Sequence, residues 1–295
     1  MGPILVTGGT GQLARALDAA APDRVRRVGR PDFDFDRPET LDARFAAIRP
    51  ALVVNAAAYT AVDAAEDDAE AAYRANRDGP ATLARLCAEA GIPLIHVSTD
   101  YVFDGAKGAP YVETDPVSPQ GVYGASKLAG EQAVLASDAQ ATILRTSWVY
   151  AAEGKNFVRT MLTVGATRDR LTVVADQRGC PTTAADLAAA ILAIADRIAA
   201  SGWRPDYGGV FHAAGSGETT WFGLATATFE EAARHGAKVP EVAPIATADW
   251  PTKARRPADS RLDCGKLDAV FGIRLPPWRD SLVRTIDAIY AQPRG

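Results

Sequence analysis

Tyr123 and Lys127 stand four residues apart in Tyr123-Gly124-Ala125-Ser126-Lys127, and on a helix that spacing puts phenol and ammonium on one face. The chemistry open to such a pair is proton transfer to a carbonyl oxygen. A free phenol, with a pKa of about 10, is a reluctant partner at neutral pH. A neighbouring ammonium favours the phenolate and is expected to pull that value down. Thr99, in Ser98-Thr99-Asp100-Tyr101, would give the same carbonyl oxygen a second hydrogen bond. Tyr-x-x-x-Lys alone is common and fits an exposed helical pair. Here it comes third in an order that matters: a glycine turn, a Ser/Thr strand end, then the Tyr/Lys helix.

The glycine turn is Thr7-Gly8-Gly9-Thr10-Gly11-Gln12-Leu13-Ala14. Gly8 can take a tight turn, Gly11 lets the backbone approach a pyrophosphate, and Ala14 replaces the third glycine at the helix–strand contact. The anion would rest on the free N–H groups at the helix start. These features call for a dinucleotide, NADPH or NADH. After the second strand an NAD site wants an acid for the ribose hydroxyls, but the chain reads Gly29-Arg30. Arg30 could pair with a 2′-phosphate and leans towards NADPH, while Asp32, Asp34 and Asp36 keep NADH open.

Alternating strands and helices must position these groups. Pro3–Thr7, Val25–Val28, Ala51–Asn55, Pro93–Val97 and Thr142–Arg145 read as strands. Leu13–Ala20, Leu41–Ile48, Ala64–Ala90 and Tyr123–Leu135 read as helices, the long one broken near Gly79-Pro80. Leu41, Phe45 and Ile48 share one helical face. Uninterrupted apolar strands between helices indicate an α/β fold: a doubly wound, Rossmann-type parallel sheet covered on both sides. Ligands bind beyond the carboxyl ends of such strands, so Ser98–Tyr101 should face the cleft. Past Tyr150 the pattern loosens and Pro and Gly cluster. Residues 1–150 are expected to form a dinucleotide-binding domain, with some returning segments, and 151–295 mainly a smaller substrate-binding domain.

Composition narrows the remaining classes. The 295 residues are 47% hydrophobic and 23% charged with net charge −4, and no Lys/Arg-rich run offers a nucleic-acid footprint. Arg26-Arg27 and Arg255-Arg256 are too short for that. Apolar stretches such as Ala51–Ala58 fall far below the ~20 residues of a spanning helix, so no membrane association is expected. No charged n-region precedes an apolar core at the start. Cys87, Cys180 and Cys264 are odd in number and lack Cys-x-x-Cys spacing, which suits free thiols in a reducing cytoplasm. His96, His212 and His235 are isolated, so no metal site is expected.

Over nearly its full length the chain resembles the extended short-chain dehydrogenase/reductases. Within them it is similar to the branch that reduces the 4-keto group of dTDP-4-dehydro-L-rhamnose to give dTDP-L-rhamnose. The blocks that carry this are Gly11-Gln12-Leu13, Val54–Asp63, Ser98–Phe103, Glu113–Asp115, Ser118-Pro119, Arg145–Tyr150 and Arg256–Leu262. The resemblance implies Thr99, Tyr123 and Lys127 as the catalytic group. It implies Gly11, Gln12, Leu13, Asp34, Phe35, Ala58, Tyr59 and Thr60 along the cofactor, with Lys127 on the nicotinamide ribose. Thr99 and Asp100 would touch the sugar and Trp148 would stack on it, the partner being a dTDP-linked 4-keto-6-deoxy sugar. Some members of the branch form a magnesium-linked dimer through glutamates. The matching stretches here read Ala14-Arg15-Ala16 and Thr182-Thr183-Ala184-Ala185, which implies a monomer or weak homodimer. Two other readings stay open: a nucleotide-sugar epimerase or dehydratase on the same scaffold, or a non-catalytic regulatory subunit resembling that of methionine adenosyltransferase.

Overall fold

The computed structural model describes residues 2–291. Its first half alternates β1 (Ile4–Val6), α1 (Gln12–Ala20), β2 (Val25–Arg27), α2 (Pro38–Ile48) and β3 (Leu52–Asn55). Then come two short helices, α3 (Val62–Ala65) and α4 (Ala69–Tyr73), followed by α5 (Gly79–Ala90), β4 (Leu94–Thr99), α6 (Val122–Leu135) and β5 (Ala141–Thr146). The second half holds β6 (Val149–Tyr150), α7 (Phe157–Gly165), β7 (Arg170–Val174), β8 (Arg178–Gly179), β9 (Thr182–Thr183) and α8 (Ala184–Ser201). It closes with β10 (Gly209–His212), β11 (Thr219–Thr220), α9 (Trp221–Ala233), β12 (Glu241–Ile245), α10 (Gly265–Phe271) and α11 (Trp278–Ala291).

Six parallel strands make one sheet in the order β10-β5-β4-β3-β1-β2. Side chains alternate across it, as a period of two demands. Ile4, Val6, Val54, Ile95 and Leu144 face a core shared with Leu17 of α1, Ile191 and Ile194 of α8, and Phe271 of α10. Leu5, Val53, Leu94 and Ile143 face the opposite core, with Leu41 and Phe45 of α2, Leu83 of α5 and Val134 of α6. Each such aliphatic side chain contributes about 1.5–3 kcal/mol by leaving water. Three segments from the second half, α8, β10 and α10, thus join or cover the sheet. The other strands there form three two-stranded pairs, β6 with β9, β7 with β12 and β8 with β11. Tyr150, Val158, Leu224, Leu282 and Ile286 pack into a separate core there.

One expected break lies elsewhere. The stretch 64–90 is interrupted at Glu66–Asp68, and the chain passes Gly79-Pro80 without leaving the helix. Pro80 lacks an N–H and crowds the carbonyl four residues back. A π turn at Arg74–Asp78 widens the helix just before it, relieving that crowding. The turn pushes the Asn76 carbonyl towards α6, where only glycine fits: a Cβ on Gly130 would lie 2.0 Å from that oxygen. Among the described residues no helix is long and apolar enough to cross a membrane. The end of the expected 151–295 domain, residues 292–295, lies outside the described residues.

Candidate active site

The chain runs from β1 outward to β2 and then back to β3 on β1's other side. At that switch point loops diverge and leave a crevice beyond the strand ends. The turn after β1 is made by backbone. Gly8 has φ +94°, and a Cβ there would meet the Ala56 carbonyl oxygen at 2.9 Å. Gly11 donates its N–H to the Gly8 carbonyl at 2.7 Å and begins α1 with no side chain capping it. The first-turn N–H groups therefore remain free for an anion, which suits a dinucleotide pyrophosphate. The loop after β3 is fixed from beneath. Thr7 donates its hydroxyl to Asn55 Oδ1 at 2.6 Å and accepts from the Ala57 N–H at 3.0 Å, and Asn55 Nδ2 meets His96 Nδ1 at 2.9 Å.

Asn76, on the π turn, is a positioning residue that sequence reasoning missed. Its Oδ1 accepts from the Tyr59 N–H at 2.8 Å, and its Nδ2 donates to the Tyr59 carbonyl at 3.1 Å and to Ser126 Oγ at 2.9 Å. The buried amide thus ties the loop of Tyr59 to the helix of Tyr123. Its signal in the sequence was only a polar residue inside an alanine-rich helix.

A cleft of about 970 Å³ opens here. Gly8, Gly11, Gln12, Leu13, Arg30, Phe35, Ala58, Tyr59 and Thr60 all line it, as do Thr99, Asp100, Tyr123, Lys127 and Trp148. Asp34 does not line it; its carboxylate is held by the Arg30 guanidinium at 2.9 Å. Arg30 also pairs with Asp36 at 2.5 Å, and Arg74 reaches the same carboxylate at 3.0 Å. Arg30 and two of the three acids that sequence reading set against it, Asp34 and Asp36, are therefore one ion-pair network at the cleft's edge. A smaller hollow of about 510 Å³ lies at the other ends of the strands, around Pro3, Leu52, Pro93 and Trp203, away from all these groups.

Thr99 ends β4 and Tyr123 and Lys127 lie one turn apart on α6. The Thr99 hydroxyl and the Tyr123 phenol line the same cleft, the hydroxyl favouring the ionised phenol. Lys127 is buried and donates to the Val97 carbonyl at 2.7 Å; burial pushes its ammonium down to about 8, with the Glu131 carboxylate opposing. Glu131, one further turn along α6, accepts from Ser98 Oγ at 2.5 Å and holds Arg145 through both oxygens at 2.7–3.2 Å. This buried pair clamps α6 to β4 and β5. The expectation of an acidified phenol is corrected here. Burial pushes Tyr123 up to about 12, assisted by the Asp100 carboxyl and only partly offset by Thr99. Lys127 is turned to the Val97 carbonyl, so desolvation outweighs its charge at Tyr123.

The wall of the cleft around Trp148 is assembled from distant segments. Trp148 has φ +48°, a conformation that costs a bulky residue of order 1–3 kcal/mol, and its indole stacks on Trp221 at 3.6 Å and 7°. Gly179 lies against the ring edge, where a Cβ would come within 2.4 Å. Trp221 donates to Gln177 Oε1 at 3.1 Å and lines the same cleft, so one face of Trp148 is already covered by a tryptophan that sequence reading passed over. Farther out, Arg256 pairs with Asp63 at 2.9 Å and holds that carboxyl below its usual range. The separated blocks 54–63 and 256–262 thereby meet. Among the described residues no three His, Cys, Asp or Glu gather to hold a metal ion.

Comparison with known proteins gives this geometry a family. The profile of the RmlD substrate binding domain matches residues 1–291. A dTDP-4-dehydrorhamnose reductase of Sinorhizobium fredii is 48% identical over 288 residues, covering 97% of this chain and 97% of that protein. The crystal structure of a dTDP-4-dehydrorhamnose reductase from Clostridium acetobutylicum superposes with a TM-score of 0.90 at 36% identity, covering 97% of this chain and 99% of that one. Another from Bacillus anthracis, solved in complex with NADP, superposes with a TM-score of 0.88 at 33% identity over the same shares. Matched from one end to the other, the chain belongs to the RmlD substrate binding domain family, whose members named above are dTDP-4-dehydrorhamnose reductases.

Proposed function

We propose that this protein reduces the 4-keto group of dTDP-4-dehydro-L-rhamnose to give dTDP-L-rhamnose, using NADPH or NADH. The observation that carries the reading is the meeting of Thr99 and Tyr123 at the end of β4, in one cleft with an uncapped glycine turn. Gly8, Gly11, Gln12 and Leu13 would hold the pyrophosphate. Ala58, Tyr59 and Thr60 would line the cofactor's middle, and Lys127 would reach its ribose. Phe35 and Arg30 belong to the adenosine end, where Arg30 would meet a 2′-phosphate; Asp34, outside the cleft lining, would act only by holding Arg30. When bound, the reduced nicotinamide supplies hydride to the keto carbon.

The chain's own task is the proton. A phenol held up at about 12 keeps its proton at neutral pH, yet an alkoxide is basic enough to take it, so Tyr123 serves as the acid of the reducing direction. Thr99 would hold the keto oxygen beside Tyr123, Asp100 would contact the sugar, and Trp148, braced by Trp221, would offer an aromatic wall to its apolar face. Residues 1–150, with α8 and β10, serve the cofactor in this reading and 151–295 mainly the sugar nucleotide. We take the protein to act in the cytoplasm as a monomer or weak homodimer, which sedimentation at several concentrations would test.

The deciding experiment supplies purified protein with a dTDP-4-keto-6-deoxy sugar and either NADPH or NADH. Stoichiometric loss of the reduced cofactor, absent without the sugar, is expected. Turnover of the sugar without net cofactor consumption would mark an epimerase or dehydratase. Cofactor binding without turnover would favour a regulatory subunit.

A further inference from the structure

Asp100 is the only carboxyl group among the described residues lining the cleft. It is 2% exposed, and its Oδ2 has no hydrogen-bond partner. Its Oδ1 accepts from the Thr99 hydroxyl at 3.1 Å, and Thr99 lines the cleft with the Tyr123 phenol, whose ionised form it favours. The ionisable groups facing it are Tyr101 on its own turn, Tyr123 on α6 and the Cys180 thiol ahead of β9, none of them cationic. An ionised carboxylate with an orphaned oxygen is costly in such surroundings. Burial accordingly pushes Asp100 up to about 7, although the Ser260 and Thr99 hydroxyls resist the shift. Lys127, the lysine of α6 in the cleft, gives one N–H to the Val97 carbonyl.

We propose that Asp100 is the proton reservoir of the reaction, its carboxylic acid restoring the Tyr123 proton through the Thr99 hydroxyl. This rests on the reductase reading. Hydride adds to the keto carbon and the carbonyl π pair becomes an alkoxide lone pair. The Tyr123 O–H bond breaks as the sugar O–H bond forms. The phenolate then takes the Thr99 hydroxyl proton while the Asp100 proton passes to Thr99 Oγ1. One ketone has become an alcohol, and one carboxylic acid has become a carboxylate that regains its proton from water once the product has left.

Asp100→Asn keeps the size and the hydrogen bond from Thr99 but releases no proton. The first readout needs no turnover: carbon NMR of the aspartate-labelled protein should show a carboxyl that titrates near neutrality and is missing from D100N. The second is the pH dependence of kcat. The acid form is the active one, so wild-type kcat should fall as pH rises through about 7. In D100N kcat should be lower by about tenfold or more and lose that limb, with cofactor Kd unchanged. A raised KM with kcat and its pH limb retained would make Asp100 a sugar contact alone and overturn the proposal. An Asp100 carboxyl found ionised throughout neutrality would overturn it as well. A wild-type protein inert towards the dTDP-sugar would instead bring down the reductase reading, and the relay with it.

Discussion

At the glycine turn, Gly8–Gly11 shapes the backbone so that the uncapped first-turn N–H groups of α1 face the cleft with no side chain over them. At the tryptophan wall of the same cleft the reverse holds. There the backbone of Trp148 is bent to φ +48° so that two indoles, from β6's approach and the start of α9, can lie face to face. Backbone sites depend on a few glycines close in sequence, because their geometry is local. Side-chain walls depend on packing between segments far apart, because no single segment supplies both rings. The first kind turns on glycine φ angles that a side chain disfavours; the second turns on rings brought together by packing. Between them stands the Thr99/Tyr123 pair, supported from below by Glu131 and Arg145.

Substitutions at these three places should separate in kind as well as size. Tyr123→Phe removes the acid and nothing else, so kcat should drop by about 10²–10⁴-fold while cofactor Kd and protein stability stay near wild type. Calorimetric titration alongside steady-state rates would check this, and a comparable loss of cofactor binding would mean the phenol belongs to the cradle. Gly8→Ala places a Cβ 2.9 Å from the Ala56 carbonyl at a φ that disfavours it. About 1–3 kcal/mol of cofactor binding and local stability should be lost, with sugar KM at saturating cofactor little changed. Trp221→Ala removes the brace behind Trp148. Sugar affinity should weaken by about 0.5–1.5 kcal/mol, the worth of an aromatic pair, with cofactor Kd unaffected. If Gly8→Ala and Trp221→Ala each disturbed both ligands equally, the two regions would be one coupled site.

Several details of the fold follow from residues read in order. Five of the sheet's six strands, the glycine turn and the Tyr123–Lys127 spacing were legible because each depends on neighbours within a turn or two, whereas β10 joins the sheet only by pairing with the distant β5. The Ala64–Ala90 stretch was misjudged because a proline's neighbours can widen into a π turn instead of ending the helix, and what favours that is α6 closing on Asn76 through Gly130. Asn76 itself was unreadable for the same reason: its partners, Tyr59 and Ser126, are far from it in sequence.

The residues by themselves determined that a dinucleotide-sized cleft, a phenol, an ammonium and a threonine would be present, since glycine conformations, helical spacing and strand-end placement are short-range properties of the chain. Only the tertiary structure decided their electrostatics. It set Tyr123 half-buried in the cleft wall and turned Lys127 to the Val97 carbonyl, so desolvation raised the phenol where proximity alone argued for lowering it. It also left one oxygen of Asp100 without a partner. Solvation depends on everything that surrounds a group, and that is known only when distant segments have packed.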